Sequence, residues 1–157
     1  MADEHTDATE LARYATAELP TGYDLVTACR ASYGQQLPGD RLVAGRVQAL
    51  AQLHRTRHID PGKEDRISVR RADIAASIDQ WTLTHTRLTG SGFGEAADQL
   101  AAAYIAFAVK FRAPEPVEFP ELHRAWEAVA RCVITWDDLR AGHAEVPWPL
   151  ETAPCRR

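Results

Sequence analysis

The sequence has little that would staple, anchor or steer a chain. Its three cysteines, Cys29, Cys132 and Cys155, are odd in number, far apart and without a C-x-x-C pair. That argues against a disulfide framework and a thiolate zinc site, and is the pattern of reduced structural thiols in a cytosolic protein. The longest apolar run, Leu100 to Val109, is broken by the Tyr104 hydroxyl. It is about half the ~20 residues needed to cross a bilayer, so it reads as a buried core helix. The first residues, Met1 to His5, are acidic and polar, with no charged-then-apolar signal pattern.

Charge of one sign is also scarce. The 18 basic and 22 acidic residues are mixed along the chain and leave a net charge of −4. No basic stripe is present that could release phosphate counterions, and the tail Cys155-Arg156-Arg157 is too short to act as one. These absences predict a cytoplasmic protein with neither nucleic acid nor membrane as a partner.

Strand signals are missing too, with no alternating run of four residues and no hairpin dipeptide between apolar runs. No internal repeat, nucleophile elbow, P-loop or dinucleotide fingerprint occurs. Gly90-Ser91-Gly92-Phe93-Gly94 contains G-x-G, but no strand precedes it. It reads as an interhelical loop.

What is there is helix. A chain of 157 residues with 45% hydrophobic content suits one domain and buries roughly 68–70% of its unfolded surface. Periodicity and breakers predict helices over about 7–19, 23–36, 40–58, 64–88, 94–112 and 120–141. Asp40 is an N-cap, and Pro120-Glu121 a favoured first turn. Pro114-Glu115-Pro116 is an extended linker. The expected fold is all-α, a single-domain antiparallel helical bundle of about five to six helices spanning 1–145. Residues 146–157 form a proline-rich tail, docked through Trp148.

Several predicted apolar stripes carry a polar residue. Ile67, Arg71, Ile74, Ile78, Trp81, His85 and Leu88 recur at spacings of four and three. Val43, Val47, Leu50 and His54 form a second stripe, and Leu100, Tyr104, Phe107 and Phe111 a third. Leu122, Trp126, Val129, Val133 and Asp137 form a fourth. Trp81, Trp126, Trp136 and Trp148 read as core or rim packing, whereas an exposed aromatic stripe would signal a partner surface.

The inferred core thus carries His54, Arg71, His85 and Asp137. Arginine is almost never buried without a partner, so Arg71 requires a carboxylate. Asp79 on its own helix is one candidate, and Asp137 or Asp138 the other. Two readings stay open: an ion network that sets helix register, or a polar pocket inside the bundle.

His54-Arg55-Thr56-Arg57-His58 places His54 and His58 one turn apart, which is chelating geometry. The glutamate of H-E-x-x-H is missing, and Arg55 and Arg57 put positive charge beside any cation. As metal ligands His54 and His58 are therefore weak candidates, and no metal or other cofactor is expected. The E-x-x-H pairs of di-iron bundles are not repeated.

Arg70-Arg71-Ala72-Asp73-Ile74-Ala75-Ala76-Ser77-Ile78-Asp79 resembles the R-R-x-D-[LI]-x-x-x-I-D motif of a bacterial family catalogued as domain of unknown function 4254. Leu53-His54 with Arg57 is similar to that family's histidine-containing helix. Leu122-His123 with Trp126, then Trp136-Asp137-Asp138-Leu139, resembles its L-H-x-x-W and Y-D-D-L ending, with Trp136 in place of the tyrosine. The resemblance covers roughly 51–139. Arg55-Thr56 stand where longer members carry an acidic pair, so a site built on those acids does not carry over. The resemblance implies an all-α fold and no set reaction. Members are often encoded beside genes for surface-sugar or small-molecule biosynthesis, which is association rather than mechanism.

Two functions are compatible with these residues. The favoured one is a helical accessory or binding protein, a homodimer or the partner of a pathway protein, serving a natural-product or surface-glycan pathway. The alternative is a small enzyme. There, Arg71 would hold an anionic small molecule, Asp79 or Asp137 would orient it or His54, and His54 or His85 would act as general acid and base.

Overall fold

The structure, a computed structural model, describes residues 19–31, 41–86, 88 and 91–142. The predicted helix over 7–19 up to residue 18, the Asp40 cap, Trp148 and the 146–157 tail lie outside the described residues.

Helix α1, Gly22–Arg30, starts where the sequence supplies a capping box. The Thr21 hydroxyl accepts from the Asp24 N–H at 3.1 Å, and Asp24 accepts from the Thr21 N–H at 3.0 Å. That satisfies two of the donors a helix start leaves bare. The helix stops at Arg30, where Ala31 turns extended, and so is shorter than the predicted 23–36.

Helix α2, Arg41–Ile59, is followed by a single 3-10 turn over Pro61–Lys63. Asp60 caps that turn through the Gly62 N–H, and the fixed φ of Pro61 suits its first position. Helix α3, Glu64–His85, packs back against α2. It opens with Glu64 and Asp65, whose charge complements the helix dipole. Helix α4, Phe93–Phe111, follows Gly92, whose φ of +99° is accessible to glycine at little cost. Helix α5, Phe119–Arg140, has Pro120 in its first turn as expected.

The fold is an all-α bundle. Helix α4 is its axis, packing against the other four helices. Helix α3 lies mainly on α2 and α4, and α5 on α4 and α1. Nearly all the buried apolar residues form one cluster drawn from all five helices. Close approach of α3 and α4 requires Gly94, where a Cβ would lie 2.0 Å from the Ala75 carbonyl oxygen. Next to Gly94 at the start of α4, Phe93 meets the fully buried Trp136 edge-on at 5.6 Å, and the Trp136 indole donates to the Pro20 carbonyl at 2.8 Å. Its indole N–H thereby has the partner a buried tryptophan requires.

Two predicted stripes are displaced, and a third stops short of Phe111, which is exposed. In α5 the buried line is Val129, Cys132 and Trp136, while Trp126 is 48% exposed. Apolar residues occupy both lines at helical spacing, and the contacts with α4 and α1 select between them. In α3 the buried line ends at Thr82, and Thr86 is already extended, so Leu88 lies beyond the helix.

Candidate functional site

The α2 stripe of Val43, Val47, Leu50 and Ala51 carries His54 inward one turn further along, where the imidazole is 1% exposed. From α3, Arg71 enters between the buried Ile67 and Ile74. From α4, Asp98 stands one turn beyond Gly94, whose backbone packs closely on that of Ala75 in α3. These three residues meet.

Arg71 binds Asp98 side-on through one edge of its guanidinium: Nη2 donates to Oδ2 at 2.6 Å, and Nε lies 3.1 Å from Oδ1 and 3.2 Å from Oδ2. His54 Nε2 lies 2.8 Å from Asp98 Oδ1. An ionised carboxylate only accepts, so the Nε2 position carries the proton. In the neutral ring, Nδ1 then presents a lone pair, and this buried nitrogen has no hydrogen-bond partner among the described residues.

Burial acts to raise the Asp98 pKa. The hydrogen bonds from His54 and Arg71, with the charge they bring, outweigh it and hold the carboxyl at about 2. The Arg71 guanidinium is raised above its ordinary value by the hydrogen bond it donates to Asp98, against the opposing effect of its partial burial. The result is a charge-balanced node that ties α2, α3 and α4 together. Charge-assisted, bidentate contacts of this kind are among the stronger hydrogen bonds in proteins.

Of the five residues expected at a site, the structure brings together only His54 and Arg71. The carboxylate partner is not one of those predicted. Asp79 instead accepts from the Gly94 N–H at 3.0 Å and secures the start of α4. Asp137 accepts from the Gly22 N–H at 2.8 Å and secures the start of α1. His85 Nδ1 lies 3.0 Å from the Trp81 carbonyl oxygen one turn back, and its ring stacks on Trp81 at 4.9 Å. Each of these three satisfies or extends a helix end, so they do not share a pocket with His54.

Asp98 escaped the sequence reading because it lies off the Leu100-Tyr104-Phe107-Phe111 line. At 100° per residue it falls instead with Gly94, Ala101 and Ile105. A second line of small and apolar residues interrupted by one acid was the available signal.

His58 is exposed while His54 is buried and engaged by Asp98. Among the described residues, no three His, Cys, Asp or Glu side chains gather where they could hold a metal ion. An open concavity of about 460 Å³ lies on the outer side of α3 against Asp65, Arg66, Val69, Arg70 and Asp73. It takes in Arg70 and Asp73 of the motif-like decamer but not Arg71. No known protein-family model, curated protein or solved structure matches this chain.

Proposed function

We propose that the chain is a helical accessory or binding protein that serves a bacterial biosynthetic pathway without catalysing a step. The observation that carries this reading is the internal neutralisation of Arg71. Asp98 occupies the Nε/Nη2 edge by which Arg71 would hold an anionic substrate side-on, and it occupies His54 Nε2 as well. Displacing a carboxylate from such a buried pair leaves it uncompensated, which costs several kcal/mol. The node therefore acts as a clamp that sets the register of three helices. The resemblance of residues 70–79 to domain of unknown function 4254 supports the biosynthetic setting, and membership of that family is part of the proposal.

A second reading rests on one specific feature, the His54 Nδ1 that has no partner among the described residues. A histidine oriented by an aspartate through one nitrogen is the arrangement used for general-base chemistry at the other. On that reading the chain is a small enzyme acting on an anionic substrate.

Complementation of a gene deletion in the native host separates the two. In the accessory reading, His54→Gln supports the pathway in proportion to the amount of folded protein. A folded, normally abundant His54→Gln protein that yields no pathway product would overturn it in favour of the enzyme.

A further inference from the structure

Helix α5 turns an apolar face away from the core. Phe119, His123, Trp126, Ala130 and Ile134 follow one another at spacings of four, three, four and four, which keeps them within about 80° of one another on the helix. Phe119 is 77% exposed, Trp126 48% and Ile134 59%. Large exposed apolar residues aligned on one helix face mark contact surfaces, whereas scattered ones do not. Trp126 is held in place from below, with its ring 5.2 Å from Phe107, which in turn stacks on Phe111 at 5.7 Å. A fixed aromatic anchor of this kind loses little entropy on binding.

We propose that this face is the seam of a homodimer, with α5 of one copy lying antiparallel to α5 of the second across a two-fold axis near Ala130.

The charges bordering the stripe select the occupant. Glu127 and Arg131 are both exposed and lie along the same edge. Glu127 is engaged only loosely, with exposed His123 at 3.2 Å, and Arg131 has no ion-pair partner among the described residues. When two copies of a helix pair antiparallel, like edges meet. Glu127 of each copy then faces Arg131 of the other, twice over. The same register sets Trp126 against Val133 and Ile134 of the second copy and puts small Ala130 residues at the crossing. A parallel pairing would set this charged edge against the opposite one, which is occupied by the contact with α4. Complementary charge at a seam of this kind fixes register and partner choice.

The seam is modest. A helix of 22 residues is about 33 Å long and about 10 Å wide. Two such faces lie at the small end of stable interfaces, which bury about 1,200–2,000 Å². The dimer is therefore reversible and concentration-dependent.

Sedimentation equilibrium of the full chain from about 5 to 500 µM tests this, with a monomer–dimer transition expected in that range. Ile134→Lys should weaken the dimer at least about tenfold, with thermal unfolding unchanged because the side chain lies outside the core. Glu127→Arg and Arg131→Glu should each weaken self-association to a similar degree, because each alone sets like charges against like. An equimolar mixture of the two variants restores opposite charges on both sides of the axis and should dimerise like the parent, a result that misfolding cannot produce. A monomer throughout the range overturns the proposal. So does a dimer indifferent to all three substitutions, which would place the contact on another face. Hydroxyl-radical footprinting of Trp126 then names the occupant. Protection in a monomer assigns the face to another segment of the same chain, and full reactivity leaves it for a different protein. Either result rules out the second copy.

Discussion

Arg71 and Asp98 face each other side-on across the α3–α4 contact, with Nη2 and Nε on one side and both carboxylate oxygens on the other, while His54 closes the node from α2. Asp98 is 15% exposed and Arg71 23%, so solvent screens the pair only in part. Asp98→Ala strands a guanidinium and an imidazole N–H together, and should cost about 3 kcal/mol, the lower end for a broken buried pair. The double variant Arg71→Met with Asp98→Leu should cost less than the sum of its single changes by about 1 kcal/mol or more. Urea denaturation of the four proteins measures this coupling, and strict additivity would refute the node.

The same pair predicts an acid limb. The Asp98 carboxyl is held at about 2 rather than its ordinary 3.8. A depressed carboxyl stabilises the fold above its unfolded pKa, and this contribution disappears as pH falls through the folded value. The expected contribution is on the order of 2 kcal/mol, present above about pH 4 and lost between about pH 4 and 2. Urea midpoints across that range should fall in the parent and fall less steeply in Asp98→Asn.

Glycines at two positions should respond to alanine in opposite directions. At Gly94 a Cβ would press into the Ala75 backbone, and the α3–α4 contact would have to open. Gly94→Ala is expected to cost about 3 kcal/mol or more. At Gly45, inside α2, a Cβ would meet nothing within 4 Å. Gly45→Ala should stabilise by about 0.5–1 kcal/mol, because alanine loses less backbone freedom in a helix. Thermal melts of the two variants should move in opposite directions.

The Cys29 thiol should be chemically silent in the folded protein. Burial pushes it up to about 12, against a smaller opposing effect from Arg55, and burial raises Cys132 as well. The thiolate is the reactive form, so alkylation of Cys29 at pH 8 should be at least about 100-fold slower in native protein than in urea. Peptide-resolved mass spectrometry reads both cysteines separately. Labelling of Cys29 at the rate of a free thiol would contradict its place in the core.

Helix type and much of the placement were legible because they depend on local chemistry. Pro120 opens α5, glycine precedes α4, and Ile67, Ile74 and Ile78 face inward as their spacing requires. The presence of inward polar residues was legible as well, since buried His54 and half-buried Arg71 interrupt apolar lines. Their partner was not. An arginine on a buried stripe requires a carboxylate, and Asp79, Asp98, Asp137 and Asp138 all meet that requirement in sequence.

The choice among them belongs to packing. Gly94 lets α4 approach α3 closely enough for Asp98 to reach Arg71, and the start of α4 then claims Asp79 while the start of α1 claims Asp137. The α5 stripe followed the same rule: Val129, Cys132 and Trp136 turned inward, and Trp126 was left outside. The sequence by itself determined that the chain is helical, where most helices begin, and which residues would need partners, because caps, breakers and periodicity act within a few residues. Only the tertiary structure decided which acid meets Arg71 and which tryptophan faces solvent, because those depend on how closely helices distant in sequence approach each other.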